Sequence, residues 1–211
     1  MSKNKLKKFA EMETFHNVFQ CGAQEVETSA VLAMAGHWRE NYFKNDNPIV
    51  LELGCGRGEY TVGLAKRNPD KNYIGIDIKG ARMWAGAKQA ETEGISNVAF
   101  LRTNIEMLCR FFAQDEVDEI WITFPDPQMK KVTKRLTSTY FMERYRQVLR
   151  PDGMIHLKTD SPFLYTYTEA MVLENNYPIV VNTNNLYEAD ASPKIEEARY
   201  LQTHYEKQWL D

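Results

Sequence analysis

The sequence predicts an α/β protein: a mostly parallel seven-stranded sheet with an antiparallel last strand and helices on both faces. Three observations predict it. An apolar run broken by one acid, Ile49-Val-Leu-Glu-Leu53, leads into Gly54, Gly56 and Gly58 and then a helical stretch over 59–67. Short apolar runs then alternate with helical stretches, the pattern of parallel strands joined by crossover helices. Near the end, Thr203-His-Tyr-Glu-Lys-Gln-Trp209 alternates as a returning strand would. With 211 residues, 43% of them hydrophobic and 26% charged, the chain has material for one domain with a real core. It divides into a basic arm and helix over 1–45 and a main domain over 46–211.

Taken in order, Lys3, Lys5, Lys7 and Lys8 make the arm, either a solvated tail or a contact for a polyanion. Residues 29–43 read as one amphipathic helix capped by Ser29, with His37 and Trp38 as packing residues. Asn45-Asp-Asn-Pro48 breaks the chain before the first strand, 49–53. Tyr73-Ile-Gly-Ile-Asp77 is a second buried strand. A helix over 80–92, closed by Gly94, precedes the third, 98–102. Asn104 opens a helix over 105–112, where an N-cap alone explains an asparagine. The next strand starts at Glu119 and ends in Phe124-Pro-Asp-Pro127. Each proline fixes its own φ and extends the residue before it, which holds Asp126 at the strand tip. A helix over 138–149 turns through Pro151-Asp-Gly153 into a strand over 154–158. Pro162 starts another helix, for which Asp160 is the N-cap on the plainest reading. A sixth strand covers 177–181.

Composition narrows the function. The net charge of −3 argues against wholesale nucleic-acid binding, so any grip on phosphate needs a local patch, and Lys130, Lys131, Lys134 and Arg135 offer one. A charge run is usually only a solvated face. Residues 6–20 hold no uninterrupted apolar run, which excludes a signal peptide, and no stretch is long enough to span a membrane. Cys21, Cys55 and Cys109 are odd in number and far apart, so they read as free thiols of a reducing cytoplasm, with no metal site.

The glycine spacing selects the cofactor class. A dinucleotide fingerprint puts its third glycine three residues after the second, where this chain has Glu59. Three glycines at alternate positions, with Glu52 just ahead of them, instead resemble motif I of class I methyltransferases, which bind S-adenosylmethionine and release S-adenosylhomocysteine. Such a ligand has no pyrophosphate, and Glu52 could meet its ammonium group. Asp77 follows the loop by about twenty residues, the place of a carboxylate that accepts from ribose hydroxyls. A strand–turn–helix without a ligand is the plain alternative.

Further residues make the resemblance specific: Leu51-Glu-Leu-Gly-Cys-Gly-Arg-Gly58, Gly75-Ile-Asp-Ile78 with Arg82, Gly94-Ile-Ser-Asn-Val98, Phe124-Pro-Asp-Pro127 with Lys130-Lys131, Leu149 to Gly153, Thr159-Asp160, and Thr203-x-Tyr-Glu206. In this order they resemble the bacterial tRNA (guanine-N7-)-methyltransferase family over residues 50–207. The resemblance implies a class I methyltransferase (Rossmann-like) fold and transfer of a methyl group to a guanine N7 in tRNA, by family the variable-loop guanine. It places Glu52, Gly54, Gly56, Gly58, Asp77, Asn104 and Asp126 at the cofactor, with Asp126 catalytic. Lys130, Asp160, Thr203, His204, Tyr205 and Glu206 would contact the substrate. Gln128 stands where the family commonly has tryptophan, and Asp77 and Asn104 where Glu and Asp are common. Two rival readings stay open: a small-molecule methyltransferase, and a non-catalytic subunit that binds S-adenosylmethionine or RNA.

Overall fold

The structure, a computed structural model, describes residues 3–20, 30–200 and 206. Six strands form one sheet, β1 (Val18–Gln20), β2 (Ile49–Leu53), β3 (Asn72–Asp77), β4 (Val98–Arg102), β5 (Val117–Thr123) and β6 (Leu149–Lys158), in the order β1-β4-β3-β2-β5-β6. Every pairing is parallel. From β2 the chain steps outward through β3 to β4, then crosses back to β5 and β6 on the other side. That reversal opens a crevice beyond the carboxyl ends of the central strands, the place where such sheets bind ligands.

Residues of opposite parity on each strand feed two cores. Leu51, Leu53, Ile74, Ile76, Ile120 and Ile122 pack with Phe141 and Tyr145 of α4 (Thr139–Val148) and Met171 of α5 (Pro162–Glu174). On the other face Val50, Tyr73, Phe100 and Trp121 meet Tyr60 and Leu64 of α2 (Glu59–Arg67), Met83 and Ala87 of α3 (Gly80–Glu93), and Met12 of α1 (Lys3–Met12). A sixth helix, α6 (Pro193–Tyr200), lies on this second face through Ala198.

Among the described residues the sheet has six strands, against the seven expected over the whole chain. The expected strand over 177–181 does not form: Pro178 lacks an N–H, and Ile179, Val180 and Val181 are 43%, 64% and 45% exposed, so nothing drives them onto the sheet. The expected antiparallel strand over 203–209 lies outside the described residues apart from Glu206. A strand that the sequence reading lacked, β1, pairs with Phe100–Arg102 at the far edge. Ahead of it α1 docks on α3, where the Trp84 indole N–H donates to Glu11 at 2.8 Å and Lys88 pairs with Glu11 at 2.7 Å.

The single helix expected over 29–43 is two short turns, a 3-10 segment at Ala30–Met34 and a π segment at Trp38–Phe43. The buried Glu116 carboxylate divides them. It accepts from the backbone N–H groups of Gly36 (2.7 Å) and Trp38 (3.1 Å), donors that an unbroken helix would use internally, and from that of Ala113 (2.9 Å) in its own turn. Trp38 is the packing residue expected, wholly buried with its indole N–H on the Phe111 carbonyl. His37, expected beside it in the core, is exposed next to Glu40 instead. Likewise the helix expected over 105–112 is a 3-10 turn, Ile105–Arg110, since Phe111 and Phe112 both turn inward after it. Because three buried donors share one acceptor, Glu116→Ala should lower stability by roughly 2–4 kcal/mol in urea denaturation; a loss below about 1 kcal/mol would contradict this role.

Candidate active site

The glycine stretch forms one wall of a cleft of about 160 Å³ at the carboxyl end of β2, lined by Glu52, Gly54, Cys55, Gly56, Arg57, Glu59, Tyr60, Arg82, Thr123 and Phe124. Gly54 and Cys55 donate their backbone N–H groups to Ile76 O at 2.8 and 3.1 Å, which ties the loop to β3. Gly54 and Gly56 have φ of 76° and 55°, a region that L side chains avoid. The space where a side chain would stand is open at both: the nearest atoms to an added Cβ are 4.0 Å away at Gly54 and 3.9 Å at Gly56. Gly58 differs, because a Cβ there would meet the Phe100 ring at 2.6 Å and Gly86 Cα at 3.3 Å. The first two glycines therefore leave a cradle for a ligand, and the third lets α2 and α3 approach.

Behind the cradle sits Glu52, buried on the central strand. Its Oε2 accepts from the Thr61 N–H (2.8 Å) and the Thr61 hydroxyl, and its Oε1 from the Thr123 hydroxyl (2.8 Å). Burial pushes its pKa from 4.5 up to about 7, against these hydrogen bonds, which favour the charged form. A buried acid with a raised pKa, facing an open cleft, suits a cationic ligand, and the ammonium of S-adenosylmethionine is one. Asp77, at the end of β3, accepts from Gly56 N–H at 3.0 Å on one oxygen and from Lys79 N–H at 2.7 Å on the other. Each oxygen keeps a lone pair for a ribose hydroxyl. Cradle, buried acid and strand-end acid fit this cofactor. Cys55 is no nucleophile here, since burial raises its thiol pKa well above the ordinary range.

Among the predicted residues that are described, Glu52, Gly54 and Gly56 line the cleft; Asp77, Gly58 and the rest are not part of its lining. Asn104 is exposed and caps the 3-10 turn, accepting from Glu106 N–H at 3.2 Å. Asp126 is exposed beyond β5 and accepts from Gln128 N–H at 3.0 Å. It stands between Phe124 and Gln128, which have φ of 46° and 49°. The residue before Pro125 is thus left-handed rather than extended, held there by a hydrogen bond from Phe124 N–H to Lys158 O at 2.8 Å. Such a backbone is strained for a bulky residue and is characteristic of functional sites. Asp160 is exposed and does not cap α5; Ser161 does, accepting from Leu164 N–H.

The cation cluster divides in two. Lys130 and Lys131 are exposed, whereas Lys134 pairs with Glu106. Arg135 is buried, donating to Gln128 O and Met129 O and lying on the Phe163 and Tyr167 rings. It shapes the loop and is lost to any phosphate contact. Thr203, His204 and Tyr205 lie outside the described residues. Glu206 is described, and its Oε1 is 2.6 Å from the ammonium of Lys158.

Sequence reasoning missed Tyr60, Thr61, Thr123 and Lys158. Thr123 was legible in principle, as the last residue before Phe124-Pro-Asp-Pro127. A larger cavity, about 310 Å³, runs along β6 and residues 178–186 and includes none of the glycine loop. The smaller cleft is the candidate site because the left-handed glycines, the buried acid and the strand reversal converge there.

A family model described as "Putative methyltransferase" matches residues 46–211. The tRNA (guanine-N(7)-)-methyltransferase of Bacteroides fragilis is 58% identical over 211 residues, covering 100% of this chain and 82% of that protein. The protein of the same name from Christiangramia forsetii is 56% identical over 212 residues, covering 100% and 93%. Among solved structures, the 16S rRNA methyltransferase KamB aligns with a TM-score of 0.58 at 17% identity, over 82% of this chain and 85% of its own, and so shares the fold.

The sign of the Glu52 shift makes a prediction. Its folded pKa lies above its unfolded one, so its contribution to stability is full below about 4.5 and is lost as pH rises through about 7. In the ligand-free chain this loss is on the order of 3 kcal/mol. Glu52→Gln keeps the shape and can still bond both threonines, so its denaturation midpoint should change less between pH 5 and pH 8 than that of the native chain. Identical pH slopes would contradict the assignment.

Proposed function

This chain belongs to the tRNA (guanine-N(7)-)-methyltransferase family, and from that premise we propose how its residues divide the work. The reaction is transfer of the methyl group of S-adenosylmethionine to N7 of a guanine in tRNA. When bound, the cofactor supplies an electrophilic methyl attached to a sulfonium. Guanine N7 meets it with its own lone pair, so no residue has to remove a proton first. What the protein must supply is alignment and charge.

Glu52 takes the ammonium end of the cofactor, Gly54 and Gly56 let it lie against bare backbone, and Asp77 takes the ribose. Asn104, at the same rim, is assigned to the adenine. Asp126 is the catalytic carboxylate. The base gains positive charge as N7 bonds to carbon, and a fixed carboxylate at the tip of β5 stabilises that charge. Its support is its setting between two left-handed residues, Phe124 lining the cleft itself. Lys130, Asp160 and the stretch Thr203–His204–Tyr205–Glu206 hold the target nucleoside, which resemblance places in the variable loop. A tRNA substrate sets the chain to work in the cytoplasm, with neither membrane nor metal. The observation that most supports the cofactor half of this reading is the open cradle at Gly54 and Gly56 backed by buried Glu52.

For the RNA half, two exposed cations remain after Lys134 and Arg135 are accounted for. Lys130→Ala with Lys131→Ala should weaken tRNA binding and leave S-adenosylhomocysteine affinity alone. The log–log salt dependence should become shallower by roughly one per lost phosphate contact. An unchanged slope would make these lysines a solvated face.

The acceptor atom has its own test. A tRNA transcript made with 7-deazaguanosine keeps shape and phosphates but carries carbon in place of N7. It should bind and accept no methyl, while the normal transcript is methylated. Equal transfer to both would rule out N7, and a chain indifferent to tRNA would be a small-molecule enzyme or a binding subunit.

A further inference from the structure

Lys158, the last residue of β6, is 9% exposed, an unusual setting for a lysine. Its ammonium stands 2.7 Å from the Tyr60 hydroxyl, 2.8 Å from the Ala198 carbonyl oxygen and 2.6 Å from Glu206 Oε1. An ammonium has three N–H donors. These acceptors come from three separate pieces of chain: the first turn of α2 behind the glycine loop, the body of α6, and the stretch that ends in Glu206. The backbone of the same residue reaches a fourth, since its carbonyl oxygen holds Phe124 N–H at 2.8 Å, at the point from which Pro125-Asp126-Pro127 departs. Tyr187 also donates its hydroxyl to Glu206 Oε1. Burial lowers the Lys158 pKa, and the bond from Glu206 opposes that shift.

A charge pair buried this deeply gains little over a packed apolar pair, because desolvation offsets the attraction. Its distinguishing property is geometric. Tyr60 lines the cofactor cleft, Glu206 belongs to the stretch assigned to the nucleoside, and one side chain is bonded to both.

We propose that Lys158 is a positioning residue that holds Glu206 in register with the cofactor cleft and the tip of β5. It acts through Glu206 and Tyr60 and touches neither reactant. The inference rests on the assignment of 203–206 to the target nucleoside.

The test compares the native chain with Lys158→Met and Tyr187→Phe by hydrogen exchange, S-adenosylhomocysteine titration and steady-state methylation of tRNA. In Lys158→Met, peptides covering 201–211 should exchange faster while those from β2 to β5 keep their protection. The titration should still give a stoichiometry near that of the native chain. kcat/KM for tRNA should fall by roughly a hundredfold, the scale of a misplacement of about 1 Å, with a raised KM for tRNA. A purely structural role would instead lower stoichiometry and kcat together and leave both KM values in place, which would overturn the proposal. Tyr187 is 42% exposed, so Tyr187→Phe should fold in any case; it should show the same changes at smaller size. Unchanged exchange over 201–211 in both variants would also overturn it. If the native chain transfers no methyl to tRNA, the functional reading fails, and the exchange comparison alone decides whether Lys158 positions this stretch.

Discussion

Glu52 interrupts the one described strand that is buried along its whole length, and its carboxylate is matched by one N–H and two hydroxyls from Thr61 and Thr123. An apolar residue of similar shape would suit the sheet better, since burying a carboxylate without a cation costs several kcal/mol even when it is hydrogen-bonded. The surroundings follow from keeping it. Thr61 must lie in the first turn of α2, so the loop before α2 must be tight and must cross over β2, and Gly54 and Gly56 make that crossing. Thr123 must end β5 beside β2, which sets where Phe124-Pro-Asp-Pro127 leaves the sheet. Asp77 then fastens the loop from the β3 side through Gly56 N–H. The geometry around the glycine loop thus follows from one buried carboxylate.

The strained turn after β5 is the second organising feature. A left-handed Phe124 directs the chain away from the sheet, and Arg135, buried under Phe163 and Tyr167, binds the carbonyls of Gln128 and Met129 to close the loop. Lys130 and Lys131 are left facing solvent at its tip. Since Lys134 pairs with Glu106 and Arg135 is buried, in a chain of net charge −3 the cluster leaves fewer cations without a partner's claim than its sequence suggested. Their effect depends on closeness to the cleft more than on number.

Much of this was legible in the sequence because it rests on local rules. The apolar run into alternate glycines and the strand ending at Asp77 follow from periodicity and backbone sterics, whereas the proline rule failed at Phe124, which is left-handed. The segment over 30–43 was not legible, because Glu116, far along the chain, captures its N–H groups. Nor was the fate of residues 177–181: their composition suits a strand, but pairing is decided by the partner edge. Asp160 and Ser161 are both good caps, and only the register at which α5 starts gives the role to Ser161. Arg135 looked like a surface cation beside three lysines until two aromatic rings from α5 were folded over it. Lys158 gave no signal, since the residues that make it a junction lie 98 and 48 positions away in Tyr60 and Glu206.

The proposal that Glu52 takes the cofactor's ammonium is open to direct measurement by calorimetric titration of S-adenosylhomocysteine, which keeps the ammonium group, at pH 7 in two buffers of different ionisation enthalpy. With a pKa of about 7, the ligand-free carboxyl is partly protonated there, and an arriving ammonium favours its charged form. The native chain should release a fraction of a proton on binding, and Glu52→Gln should release none. The same binding enthalpy in both buffers for the native chain would contradict the account.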